Sequence, residues 1–392
     1  MPIGLLLLCA AYVLSQFFRS FLAVLTQILD HDIGAKPEDL AFASGLWFLA
    51  FALMQIPVGA ALDRVGPRRT AAVLLLIGGG GGALLFAMAT TPMHIAIAMA
   101  LIGIGCSPVL MASYYIFARM YPAAMFATLG AVMIGIGSVG NLAGSAPLAW
   151  AVDVFGWRET LAGLGAMSAL LAVGIWLFVA DPPPVEGGQG GSVLDVLRIP
   201  ALWLIFPLIF VSYAAAAGLR GLWIGPYLGD VYGMDSQGIG RATLIMGLAM
   251  IVGTFAYGPL DRILGTRKWV VFGGNSIAML ACFTLALLPQ AGVYPSVALF
   301  CVVGLFGLSF PLIMAHGRSF VPSHLVGRGV TLMNLFSIGG VGVFQVITGR
   351  IHQAATAQAA TPDAIYSSLF TFFGFAMLAG LLVYLFCRDR LD

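Results

Sequence analysis

Two arginines stand where charge is costly. Arg19 falls close to the middle of an apolar run spanning residues 4–29, and Arg220 close to the middle of another at 201–229. The acidic residue nearest to Arg19 along the chain is Asp30, eleven positions away, or about 16 Å along a helix. For Arg220 it is Asp230. All sixteen acidic residues fall in loops or at the ends of apolar runs, so neither guanidinium has an obvious carboxylate partner within its own run. An ionisable group at such depth is a functional candidate, because its cost has to be offset. Two guanidiniums can fork a phosphate or a carboxylate. The neighbours add polar groups. Tyr12, Gln16 and Arg19 follow helical spacing, and Tyr213, Arg220 and Tyr227 recur every seven residues, so each set is expected to share a helical face.

The surroundings of these arginines decide the class of protein. Of 392 residues, 60% are hydrophobic and 9% charged, against about 25% charged in a soluble domain. The mean hydropathy is +1.01. Such a chain cannot cover a water-facing surface, so lipid is its expected solvent. The net charge of +2 gives no reason to expect a nucleic-acid partner. The five cysteines lie in or at the end of apolar runs with no C-x-x-C pair, which points to packing rather than disulfides or thiolate metal sites. No P-loop, metal-ligand cluster or other cofactor signature is seen. The opening run is too long for a signal-peptide core, and no small-residue cleavage site comes after it.

Apolar runs long enough to cross a bilayer lie near 4–29, 41–62, 70–89, 94–118, 124–151, 159–180, 201–229, 239–260, 269–288, 295–317, 328–349 and 364–387. The expectation is an all-α membrane protein of twelve spans. With the N-terminus in the cytoplasm, the inner loops carry twelve lysines and arginines and the outer loops four, a bias that places both termini inside. Residues 181–200 crowd proline and glycine at mid-chain and read as an irregular cytoplasmic linker. The expected domains are therefore 1–180, a linker 181–200, and 201–392.

The two halves repeat. Gly59, Asp63, Arg64, Gly66, Arg68 and Arg69 come after the second span; Gly258, Asp261, Arg262, Gly265, Arg267 and Lys268 come after the eighth, with the aspartates 198 positions apart. Arg119 and Arg318 close even-numbered spans 199 apart, and Arg19 and Arg220 differ by 201. Three features at nearly one offset identify a duplicated six-helix unit. An aspartate at a helix end beside a row of arginines can hold one conformation through charge-assisted contacts and release it in another. The gating candidates are thus Gly59, Asp63, Arg64, Gly66, Arg68, Asp261, Arg262, Arg119 and Arg318.

This doubled loop resembles the signature of the major facilitator superfamily, and Gly156-Trp157-Arg158 is also common there. The resemblance covers essentially the whole chain. It implies two pseudo-symmetric six-helix bundles around a central cavity, alternating access, and a site near mid-membrane. It also implies a cell inner membrane protein, expected as a monomer. On that frame Arg19 and Arg220 would reach similar depth on opposite sides of the cavity. The stretch from Arg220 to Leu228 is similar to the seventh helix of organophosphate:phosphate antiporters, although Pro226 and Tyr227 come after a shorter interval; Arg19 resembles that family's first-helix arginine. By that resemblance the two bind an anion. Trp223, Asn141 and Asn334 are further cavity candidates, and His316 a candidate for proton coupling. The expected activity is carriage of a small organic anion, carboxylate or phosphorylated, with a coupling proton or counter-anion. The alternative is a proton-linked exporter of hydrophobic compounds. The fourth-helix arginine usual in such exporters is replaced by Met99, and their fifth-helix motif is absent.

Overall fold

The computed structural model describes residues 3–183, 193–322, 325–358 and 360–391. The chain divides into two compact units, Met1–Gly188 and Gln189–Asp392, and residues 184–192 of the expected linker lie outside the described residues.

In the first unit the helices are α1 (Ile3–Phe17), α2 (Leu22–Ile33), α3 (Pro37–Arg64), α4 (Pro67–Leu74), α5 (Gly81–Ala87), α6 (Pro92–Met120), α7 (Ala123–Ala143), α8 (Ala146–Phe155) and α9 (Trp157–Phe178); a π-helical stretch, Leu75–Gly80, joins α4 to α5. Proline opens α3, α4 and α6, where its missing N–H costs nothing. In the second unit they are α10 (Val193–Leu197), α11 (Pro200–Trp203), α12 (Phe206–Gly218), α13 (Ile224–Tyr232), α14 (Ser236–Leu264), α15 (Lys268–Leu287), α16 (Val293–Gly307), α17 (Phe310–Arg318), α18 (Val326–Ala357) and α19 (Pro362–Tyr384). A π segment, Leu219–Trp223, joins α12 to α13.

Among the described residues ten helical stretches are long and apolar enough to cross a bilayer, and two bent pairs qualify together. With each pair counted as one crossing the total is twelve. The spans expected at 4–29 and 124–151 are the two bent ones: α1 meets α2 at 56°, and the end of α7 meets α8 at 47°. The second bend has a local cause in Gly144, Ser145 and Pro147. The first has no proline or glycine and is held instead by tertiary contacts of Ser20 and a phenylalanine cluster. The linker also differs from expectation, because helix resumes at Val193 once the proline and glycine crowding ends.

Duplication is visible in the packing of each unit taken separately. In the first, α3 packs most extensively on α6, α1 on α7, and α5 with its π turn on α9. In the second, α14 packs on α16, α12 on α18 and α15 on α19. Second span on fourth, first on fifth and third on sixth is the scheme in both. The closest approaches repeat too. A Cβ on Gly140 would lie 1.9 Å from the Val13 carbonyl oxygen, and one on Gly340 2.0 Å from that of Phe210. Only glycine lets these backbones meet.

Candidate functional site

Both arginines sit where the first span of their unit departs from α winding. Helix α1 ends at Phe17, and residues 18–21 form a turn before α2. The Arg19 N–H reaches Gln16 O at 3.4 Å, and Ser20 N–H reaches Phe17 O at 3.0 Å. The Ser20 hydroxyl lies 3.4 Å from the Phe17 and the Asn141 carbonyl oxygens, and Phe17, Phe18 and Phe21 pack edge and face together. These contacts fix the bend. Arg220 lies inside the π segment of the second unit. Single π turns often occur at functional sites.

The half-buried Arg19 guanidinium lies over two aromatic rings of α3, with its carbon 4.8 Å from the Phe51 centroid and 5.4 Å from that of Trp47. The two rings are one helical turn apart and stacked at 5.1 Å with 15° between planes. Cation–π contact offsets part of the cost of a buried charge. Among the described residues no carboxylate forms an ion pair with Arg19. Gln16 donates from Nε2 to the Tyr12 hydroxyl at 2.9 Å. Tyr12 packs on α7, where a Cβ on Gly137 would stand 2.3 Å from its ring. The Tyr12 ring therefore packs on α7, and the Arg19 guanidinium on α3.

Arg220 is 3% exposed. A Cβ on Gly247 of α14 would stand 3.0 Å from its Nε and Nη2, so the guanidinium occupies the notch that this glycine leaves. Trp223 donates from Nε1 to Gln345 Oε1 at 3.0 Å and Thr348 Oγ1 at 2.9 Å on α18. Gln345 Nε2 returns to the Gly218 carbonyl at 3.3 Å, an acceptor at the start of the π segment. Tyr213 stays within electrostatic reach of Arg220, but Tyr227 does not share their face. The π winding takes up more residues per turn and rotates the rest of the helix about its axis. Tyr213 is half-buried near Phe310, whereas Tyr227 turns into the bundle. Its hydroxyl donates to the Pro289 carbonyl at 2.7 Å and meets Ser296 Oγ at 2.9 Å, among the rings of Phe300, Tyr366 and Phe370. Asn141 and Asn334 are half-buried on α7 and α18.

His316 is fully buried, with Nδ1 2.7 Å from the Tyr384 hydroxyl and Nε2 2.9 Å from the Arg388 carbonyl. The carbonyl requires a proton on Nε2, so Nδ1 accepts from the tyrosine, and the neutral ring is satisfied at both nitrogens.

The two signature loops share a device that sequence reasoning overlooked. An aspartate just past the sixth span of each unit caps the third. Asp181 accepts from the Arg68 backbone N–H at 2.8 Å and lies 3.3 Å from Arg68 Nε. Gly66, at φ +93°, leaves room for that carboxylate. Asp389 accepts from the N–H groups of Arg267 and Lys268 at 3.1 and 2.9 Å, and from the Thr266 hydroxyl. In the second loop Asp261 also pairs with Arg267, at 3.0 Å to Nε and 2.9 Å to Nη2. In the first loop Asp63 and Arg64 are exposed, as are Arg262 and Arg318 elsewhere; Arg119, also exposed, reaches the Pro183 carbonyl at 3.3 Å. The clue to the caps was Asp181 and Asp389 standing a few residues after the last span of each half. The clue to Trp47 and Phe51 was an aromatic pair at four-residue spacing in the second span.

A family model described as Major Facilitator Superfamily matches residues 8–346. A sialic acid transporter of Escherichia coli (strain K12), NanX, is 24% identical over 347 residues, covering 84% of this chain and 82% of its own. A protein of the same strain named a probable L-galactonate transporter is 24% identical over 391 residues, 89% of this chain and 82% of its own. Among solved structures, a bacterial homolog of the human lysosomal transporter Spinster, in an inward-facing and occupied conformation, superposes with a TM-score of 0.77 at 18% identity. That match covers 98% of this chain and 94% of the other.

Proposed function

The chain belongs to the Major Facilitator Superfamily, and from that premise we propose that this multi-pass membrane transporter carries a small organic anion, with Arg19 and Arg220 as the charges the anion meets. The observation that carries the reading is the Arg19 turn: a guanidinium laid on two aromatic rings, with no carboxylate paired to it among the described residues, where the first helix is interrupted. A positive charge kept in a low-dielectric setting without a fixed counter-charge is poised for a negative ligand. The relatives named for sialic acid and L-galactonate support an acidic cargo. Binding that compensates the charge supplies differential affinity between conformations, which is what moves an alternating-access equilibrium. The coupling ion is a proton or a counter-anion, the protein acts as a monomer in the inner membrane, and both termini are cytoplasmic.

The test is uptake into proteoliposomes of anions first selected by thermal shift, since a ligand that binds only the native state raises Tm. Arg19→Ala or Arg220→Ala is expected to abolish uptake and the ligand-dependent Tm rise, while the elution profile and ligand-free Tm stay close to wild type. Wild-type uptake by either variant, or transport of lipophilic cations with no response to anions, would overturn the reading.

A further inference from the structure

The Arg19 turn holds more unmet hydrogen-bonding capacity than a structural bend needs. Gln16 Oε1, Arg19 Nε and Trp47 Nε1 are all buried, and none has a hydrogen-bond partner among the described residues; Ser15 beside them reaches Cys106. Ser15 is 1% exposed, Gln16 9% and Trp47 0%. They form one neighbourhood: Ser15 and Gln16 lie in the last turn of α1, Arg19 comes within a turn of them, and its guanidinium rests on the Trp47 indole. Buried polar groups are nearly always satisfied, and a cluster of exceptions calls for a partner that the chain does not supply.

The types of the unmet groups describe that partner. Arg19 Nε and Trp47 Nε1 can only donate. Gln16 Oε1 is an amide oxygen and accepts only, and the bond from its Nε2 to the Tyr12 hydroxyl sets which way the amide points. A ligand completing the set must offer acceptors to the arginine and the indole and a donor to the glutamine, within the span of one helical turn. We infer that this cluster recognises a hydroxylated carboxylate, whose carboxylate takes Arg19 and Trp47 and whose neighbouring hydroxyl donates to Gln16 Oε1. A carboxylate without the hydroxyl leaves Gln16 Oε1 unmet, and a phosphomonoester dianion offers acceptors only. The Trp47–Phe51 pair covers one face of the guanidinium. A site built around a substrate hydroxyl discriminates strongly against the analogue that lacks it. The inference rests on the anion reading and specifies it.

The experiment measures thermal stabilisation of the purified full chain by matched pairs, tartrate against succinate and gluconate against hexanoate, with methyl phosphate as a third probe. The hydroxylated member of at least one pair is expected to act at concentrations about tenfold lower than its partner, and methyl phosphate to act weakly. In Gln16→Leu the preference within the pair is expected to vanish while carboxylate binding remains; in Trp47→Phe both members are expected to weaken together. Equal action of both members on the wild type, a comparison that needs no variant, would overturn hydroxyl recognition and leave the anion reading standing. A preference that survives Gln16→Leu would overturn the assignment to Gln16. No response to any of these anions would sink the anion reading and this inference with it.

Discussion

Single residues here act mainly through the hydrogen-bonding capacity they leave open or close. Asp389 is a closed case. Burial alone would raise its carboxyl, but hydrogen bonds from Thr266 and from the Lys268 and Arg267 N–H groups outweigh that and hold it below the ordinary carboxylate value. A folded value under the unfolded one, near 4, means that the contribution is full above that pH and is lost as pH falls through the lower folded value. Asp389→Asn keeps the shape and removes the charge. It should lower Tm by about 2 °C at neutral pH, a small effect because the group is exposed. The gap to wild type should close as pH drops below about 4, as a scanning melt at stepped pH would show. At this scale the sequence revealed the arginines, since a charge inside an apolar run is conspicuous. It concealed Trp47, because an aromatic in a membrane helix reads as packing until the position of the guanidinium is known.

Among the helices, close backbone approach at Gly140 and Gly340 is the same contact made in each unit, first span against fifth. Gly140→Leu and Gly340→Leu are each expected to cost about 1–3 kcal/mol or more, because a carbonyl oxygen rather than a movable side chain stands in the way. Lower Tm and reduced monodisperse yield would register it; an unchanged melt in either would contradict the packing. The number of crossings, their order and the duplication were legible from hydropathy and from motif offsets. The interruptions were not. Phe17 to Leu22 contains no helix breaker, so periodicity continues through a bend held by Ser20, Asn141 and a phenylalanine cluster. The seven-residue repeat of Tyr213, Arg220 and Tyr227 misled for a related reason: it assumes α winding, and Leu219–Trp223 is π.

For the whole molecule the governing fact is the basic bias of the loops, twelve lysines and arginines against four. Each such residue favours the cytoplasmic side, and the excess leaves little freedom of orientation. A green fluorescent protein fused after Asp392 should therefore glow, and alkaline phosphatase fused there should stay inactive. Active phosphatase at that point would invert the topology and put the signature loops on the outer face. The same duplication that sets twelve crossings also gives each unit its own aspartate cap, Asp181 in one and Asp389 in the other. Each half thus carries its own fastening between third and sixth spans.

The indole lying against Arg19 has a practical corollary. A tryptophan emits according to the electric field across its ring, and here a cation lies 5.4 Å from the ring centroid. An arriving anion would cancel part of the cation's field, so the chain holds an intrinsic optical gauge of occupancy. Emission that shifts on adding cargo to the wild type, and stays still in Trp47→Phe despite the six tryptophans that remain of seven, would let loading be timed without any label.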